Sequence, residues 1–205
     1  MTMRLVKSVA KRIDGVLFEA PPRLIDRAMR STPRASIQRL ISAHGVSPRF
    51  LRVLTSPYVL HPIVRGVLSN ESDELLNRRA RELDGSRRRR YASASARLDR
   101  YAAIKALIDS IDRVGYRPPD VVDDNPDAIG VVVREEGGLT WLRQGDHRLS
   151  LSKALDLPSC IVRVRAFEPG FVDRALRDHA HVGAHRSVLY ALEAIGVRRV
   201  GGSEH

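Results

Sequence analysis

Ile129-Gly130-Val131-Val132-Val133, then Gly137-Gly138, then Leu139-Thr140-Trp141-Leu142, then Gly145-Asp146-His147-Arg148 is the stretch that decides the fold class. The first run is short and β-branched, the composition of a strand. Gly137-Gly138 supplies the backbone freedom that a hairpin turn needs, so residues 139–142 read as the returning strand. Gly145 opens a helix that carries Leu149, Leu151, Ala154 and Leu155 and is ended by Pro158. In residues 160–167, Ile161/Val162, Val164 and Ala166 alternate with Arg163 and Arg165, which predicts a further strand. Over residues 115–167 this order predicts a small α/β phosphate-binding module centred on Gly145-Asp146-His147-Arg148.

The chemistry of that tetrad follows from its place at a helix start. The first turn of a helix has backbone N–H groups without intrahelical partners, and its dipole adds partial positive charge. A glycine before that turn lets a phosphate come close to the backbone. Arg148 can add a bidentate clamp on phosphate oxygens. His147 can donate a hydrogen bond or shuttle a proton. Asp146 can cap the helix or help to hold a metal ion.

Outward from the module the patterns are helical. Leu5, Val6, Val9, Ile13 and Val16/Leu17 recur at helical spacing among Lys7, Lys11 and Arg12. This basic amphipathic start can pack on the module, the reading preferred here, or lie on an anionic membrane surface. Leu24, Ile25 and Ala28 suggest a short helix with Pro22 in its first turn. Another is expected from Pro33, with Ile37, Leu40 and Ile41 on one side. Residues 71–83 are polar and compatible with a helix. Ile104, Leu107, Ile108, Ile111 and Val114 fall on one face of an amphipathic helix stopped by Gly115. Residues 171–195 are again helical. The expected fold is therefore α+β: a small mixed sheet with helices, preceded by a mainly helical region. The expected divisions are residues 1–97, 98–170 and a helical extension over 171–205.

Hydrophobic residues make up 43% of the 205, enough to build a core, while only 5% are aromatic, so that core is expected to be aliphatic. The formal net charge of +11 is carried mainly by arginine and attracts nucleic acid, nucleotides or an anionic membrane. Arg87, Arg88, Arg89 and Arg90 form a run suited to nucleic-acid phosphates, or equally to a solvated helix start. The single cysteine, Cys160, excludes an internal disulfide and a cysteine-based zinc site. It opens an apolar run and is expected in the core. His179, His181 and His185 cluster, but no Glu lies between the last two, so the arrangement typical of zinc proteases is absent and no metal site is assigned. The expected location is the cytoplasm, with peripheral membrane association as the alternative.

Residues 131–164 resemble the ParB/sulfiredoxin superfamily, whose nucleotide-binding domain has a strand, a tight turn, a strand, Gly-x-His-Arg or Gly-Glu-Arg-Arg, a helix and a further strand. The matching elements are Gly137-Gly138, Gly145-Asp146-His147-Arg148, Leu155-Asp156-Leu157-Pro158 and Ile161-Val162-Arg163-Val164. The resemblance implies a nucleoside di- or triphosphate (ATP, ADP or CTP), with Mg²⁺ as an optional companion. Sulfiredoxin-like enzymes carry a catalytic cysteine where this chain has Asp146, which argues against sulfinic acid reduction. Residues 168–205 leave little room for the DNA-reading and dimerisation regions of a partition protein. A third branch, similar to kinases of free serine, holds the nucleotide phosphate at the same helix start. It adds upstream carboxylates, for which Asp120, Asp123, Asp124, Asp127, Glu135 and Glu136 are candidates.

The resemblance thus implies a nucleotide-dependent phosphotransferase or NTPase acting on a small hydroxylated or glycan-related substrate. Gly145, Asp146, His147 and Arg148 would bind phosphate, and His147, Glu135 and Asp146 would carry catalysis. The alternative is a DNA-binding or regulatory ParB-like protein with the nucleotide as its switch. A third reading keeps the fold as an interaction module without the chemistry.

Overall fold

The structure, a computed structural model, describes residues 3–13, 16–29, 55–83, 91–114, 128–142 and 144–200. The elements in chain order are α1 (Met3–Ile13), β1 (Leu17–Ala20), a 3-10 turn (Pro22–Leu24), β2 (Ile25–Met29) and β3 (Thr55–Pro57). Then come α2 (Pro62–Leu68), α3 (Asp73–Arg81), α4 (Ala94–Val114), β4 (Ile129–Val133) and β5 (Leu139–Trp141). The last are α5 (Asp146–Ala154), β6 (Cys160–Phe167), α6 (Pro169–Asp178), α7 (Ala184–Ala194) and β7 (Arg198–Arg199). The chain is an α+β protein with one mixed seven-stranded sheet in the order β3-β2-β5-β4-β6-β1-β7.

The expected hairpin is present: β4 and β5 pair antiparallel, with Val131 opposite Trp141 and Val133 opposite Leu139. Gly137 turns the hairpin with φ 93°, and the Arg134 N–H bonds to the Gly138 carbonyl at 2.8 Å. β6 lies parallel to β4, with Ile129 beside Val162 and Val131 beside Val164. Every residue of β4 and β5 is buried, as expected for central strands covered on both faces.

The N-terminal region differs from its helical reading. Helix α1 ends at Ile13, and Leu17 belongs to β1, which pairs antiparallel with β6. Pro22 starts a single 3-10 turn, and Ile25 and Ala28 belong to β2, which runs parallel to β5. The region also supplies β3, paired to β2. Strands of three to five residues carry too few positions to display a period, and the β6 and β5 partners of β1 and β2 lie more than a hundred residues away in the chain. The expected helix from Pro33 lies outside the described residues.

Val6, Val9, Ala10 and Ile13 follow helical spacing and are all buried, so α1 packs on the sheet core together with Phe171, Val172 and Ala175 of α6 and Val188 and Leu192 of α7. The long helix expected from Ile104, Leu107, Ile108 and Ile111 is α4. It builds a second cluster with Ile63, Val64 and Val67 of α2 and Leu76 and Ala80 of α3. Residues 171–195 form not one helix but part of α6 and all of α7, broken by the turn before Gly183. No helix among the described residues is long and apolar enough to cross a membrane.

Helix α5 joins the two clusters. Leu149 belongs to the sheet core and Leu151 to the α2–α3–α4 cluster, and Ser150 and Ser152 between and beside them are fully buried. The helix is therefore enclosed on both sides. Ser152 is satisfied within the helix: its Oγ donates to the Arg148 carbonyl at 2.8 Å.

At Gly137 a Cβ would stand 3.0 Å from Ile195 Cγ2, on a backbone with φ +93°. Gly137→Ala is expected to lower stability by roughly 1–2 kcal/mol through the left-handed backbone alone, measurable as a lower urea midpoint with an unchanged slope.

Candidate functional site

The turn from β5 into α5 is held from both sides. Leu142 N–H bonds to the Gly130 carbonyl at 2.8 Å, and the Trp141 indole N–H donates to the Gln144 carbonyl at 2.6 Å. Gly145 is the N-cap, in the left-handed region with φ 73° and ψ 32°, and Leu149 N–H closes the first helical bond onto its carbonyl at 2.9 Å. A side chain at this conformation would be strained. Asp146 does not cap the helix. It is the first helical residue, where its carboxylate complements the positive end of the dipole.

Three segments distant in the chain meet at this turn. His61 is the N-cap of α2: its Nδ1 accepts from the Ile63 N–H at 3.3 Å. That bond leaves the proton on Nε2 in the neutral ring, and Nε2 stands 3.9 Å from Asp146 Oδ2. Both side chains are almost completely buried. The His61 ring meets the His147 ring edge-on, with centroids 4.8 Å apart. His147 Nε2 is hydrogen-bonded to the Tyr91 hydroxyl at 2.8 Å, and Tyr91 stacks near Tyr101 of α4. Ser150, one turn further along α5, accepts from the His61 N–H at 2.9 Å and pairs with the Tyr58 hydroxyl at 2.6 Å.

The structure thus brings Asp146 and His147 together with His61, Tyr91, Ser150 and Tyr58, none of which was singled out from sequence as a site residue. His61 precedes Pro62, a pairing typical of a capped helix start. Tyr91 is the aromatic residue directly after the arginine run. Gly145, His147 and Arg148 are half-buried, and Asp146 is buried.

Glu135 is not part of this arrangement. It lies in the β4–β5 turn, where its backbone N–H bonds to Glu168 and its carbonyl accepts from Arg174. Residue 145 follows the opposite end of the hairpin, beside Gly130. Five residues of strand separate the two ends, roughly 16 Å at the rise of a strand. Glu136, in the same turn, pairs with Arg134. The structure thus does not bring Glu135 beside His147. Asp120, Asp123, Asp124 and Asp127 and the run Arg87, Arg88, Arg89 and Arg90 lie outside the described residues.

Cys160 is buried in the sheet core, with its thiol directed to the Ala20 carbonyl at 3.4 Å, and burial pushes its pKa up to about 12. A thiol so held is protonated and poorly nucleophilic. His181 precedes α7 and His185 lies within it, so their spacing of four does not place them on one helical face. Among the described residues no group of three or more His, Cys, Asp or Glu is arranged to hold a metal ion.

No protein-family model, curated protein or solved structure matches the chain. Fold and site together define an α+β protein with a mixed sheet and a buried His–Asp–Tyr–Ser network at the start of the helix that links β5 to β6.

Ser150 is the hub of that network. Ser150→Ala removes the acceptor of the His61 N–H and the partner of the Tyr58 hydroxyl in a fully buried place. The expected loss is about 1–3 kcal/mol, read by chemical denaturation. A loss within error of zero would show that the network does not hold α2 to α5.

Proposed function

We propose that the chain binds a nucleoside di- or triphosphate at the first turn of α5 and acts as a phosphotransferase on a small hydroxylated or glycan-related acceptor, in the manner of the ParB/sulfiredoxin superfamily. The observation that supports this most is the placing of His147. It stands in the first turn behind a left-handed Gly145, half-buried, with Nε2 bonded to Tyr91 and its ring against His61.

In this reading the positive end of α5 and the Arg148 guanidinium neutralise phosphate charge. Phosphoryl transfer depends mainly on positioning and charge neutralisation, which such a turn supplies. His147 handles the proton of the attacking or leaving oxygen, and the Tyr91 hydroxyl, bonded to Nε2, orients its ring. Asp146, buried against His61, acts as a positioning residue rather than as the base. A single buried carboxylate is a poor magnesium cage, and Mg²⁺ is commonly held through substrate phosphates. Here the ion would be carried chiefly by the nucleotide, with no protein ligand assigned.

The test is a panel of ATP, ADP, CTP and GTP, each with and without Mg²⁺, read as thermal stabilisation and as release or transfer of the terminal phosphate. At least one nucleotide is expected to stabilise the protein, and Arg148→Ala to weaken that nucleotide roughly tenfold or more, the loss of one charge-assisted hydrogen bond. Unchanged affinity in Arg148→Ala would remove the assigned site.

A second reading, a regulatory protein that binds nucleic acid with the nucleotide as switch, draws support from the net charge of +11. It predicts retention on duplex DNA at low salt with an affinity that falls steeply as salt rises. An absence of retention at low salt would end that reading.

A further inference from the structure

A groove of about 420 Å³ opens beside the C-terminal half of α5, between that helix, the 3-10 turn and β2. It lies about six residues of helix beyond His147, on the order of 9 Å along the axis. Its walls include Arg23, Asp26, Tyr58, Leu60, Lys153 and Asp156. It is an open groove, in contact with solvent along one side, with a volume in the range of small-molecule sites.

The charges in it are unequally matched. Asp26 Oδ1 accepts from Arg134 at 2.7 Å, a guanidinium that it shares with Glu136. Lys153 is half-buried, and its Nζ stands 5.5 Å from the centre of the Tyr58 ring. Neither Lys153 nor Arg23 makes an ion pair or side-chain hydrogen bond among the described residues. Burial holds the Lys153 pKa below the ordinary lysine range, opposed only in part by the charge of Asp26. The carboxylate that acts on this half-buried ammonium, Asp26, is already bonded to Arg134, so an anion in the groove would add to the counter-charge that Lys153 meets. The second carboxylate of the groove, Asp156, is exposed.

We infer that this groove is a binding site for a small organic anion with a flat or apolar body, its carboxylate or phosphate held by Lys153 and Arg23 and its body lying against Tyr58 and Leu60. Tyr58 is fixed for that task by two contacts: its hydroxyl is bonded to Ser150, and its ring meets Trp141 edge-on at 5.5 Å. The site does not depend on a nucleotide at the start of α5, so either can exist without the other.

The experiment titrates the full chain with phenyl phosphate, benzoate, inorganic phosphate and the neutral benzamide, followed by calorimetry. Phenyl phosphate or benzoate is expected to bind saturably. Benzamide is expected to be at least tenfold weaker, which separates recognition of charge from recognition of the ring. Inorganic phosphate binding as well as phenyl phosphate would show that the body is not read, and would overturn the part assigned to Tyr58 and Leu60. Lys153→Gln is expected to weaken the aromatic anion roughly tenfold, about one charge-assisted hydrogen bond. Arg23→Gln, at an exposed position where folding is not at stake, is expected to weaken it measurably. Circular dichroism confirms that both variants fold. No saturable binding of either aromatic anion, or wild-type affinity in a folded Lys153→Gln variant, overturns the site. Arg148→Ala should leave this titration unchanged, so loss of the nucleotide site and loss of the groove are separate results.

Discussion

The parallel pairing of β4 with β6 is the constraint from which the rest follows. Parallel neighbours cannot be joined by a tight turn and need a crossover. Here the crossover is β5 followed by α5. Ile129 and Val131 of β4 lie beside Val162 and Val164 of β6, and this apolar face takes α1, α6, α7 and Leu149 of α5. Because the sheet holds one side of α5 and the α2–α3–α4 cluster holds the other, the helix is buried over four successive residues, Leu149 to Ser152. Serines at two of those positions let neighbouring elements approach closely, and their hydroxyls find partners within reach.

The start of α5 inherits its chemistry from this enclosure. Its His and Asp meet the capping end of α2 and the aromatic residue that precedes α4, so the two layers are joined by polar contacts as well as by packing. A buried network of this kind is stabilising only when its members are satisfied. His61 shows the economy: its backbone N–H, Nδ1 and Nε2 face Ser150, the Ile63 N–H and Asp146 respectively. One residue caps a helix, orients a carboxylate and packs against a second imidazole.

Part of the arginine excess is structural rather than available to a partner. Arg79 bonds to Glu71 at 2.6 Å, and Arg97 bonds to Asn77 at 2.7 Å while also reaching the Tyr91 carbonyl. Arg134 bridges Asp26, Glu136 and the Leu139 carbonyl from a buried position, tying β2 to the hairpin. A guanidinium suits such places because its donors form a fixed fork. Formal net charge is therefore a loose guide to the field that an anionic partner meets.

The β4–β5 hairpin, the helix begun by Gly145, the strand that starts at Cys160 and the long helix through Ile104 and Ile111 were legible in the sequence. Each is written locally, in a turn glycine, a β-branched run or a helical period over several turns. The pairing of β1 with β6 and of β2 with β5 was not, because a short strand is defined by a partner far along the chain and a few residues cannot show a period. The same holds for the site. Asp146 and His147 stood out because a glycine and a helix start lie beside them, whereas His61, Tyr91, Ser150 and Tyr58 are ordinary residues until packing brings their polar atoms within bonding distance. Glu135 shows the complementary effect: near to His147 in sequence, it is carried to the far end of the hairpin by the rise of the strands. What the sequence by itself determined is the set of local conformations around residues 129–167 and an α+β class. Only the tertiary structure decided which side chains share a site, since that depends on distances in space that chain order does not encode.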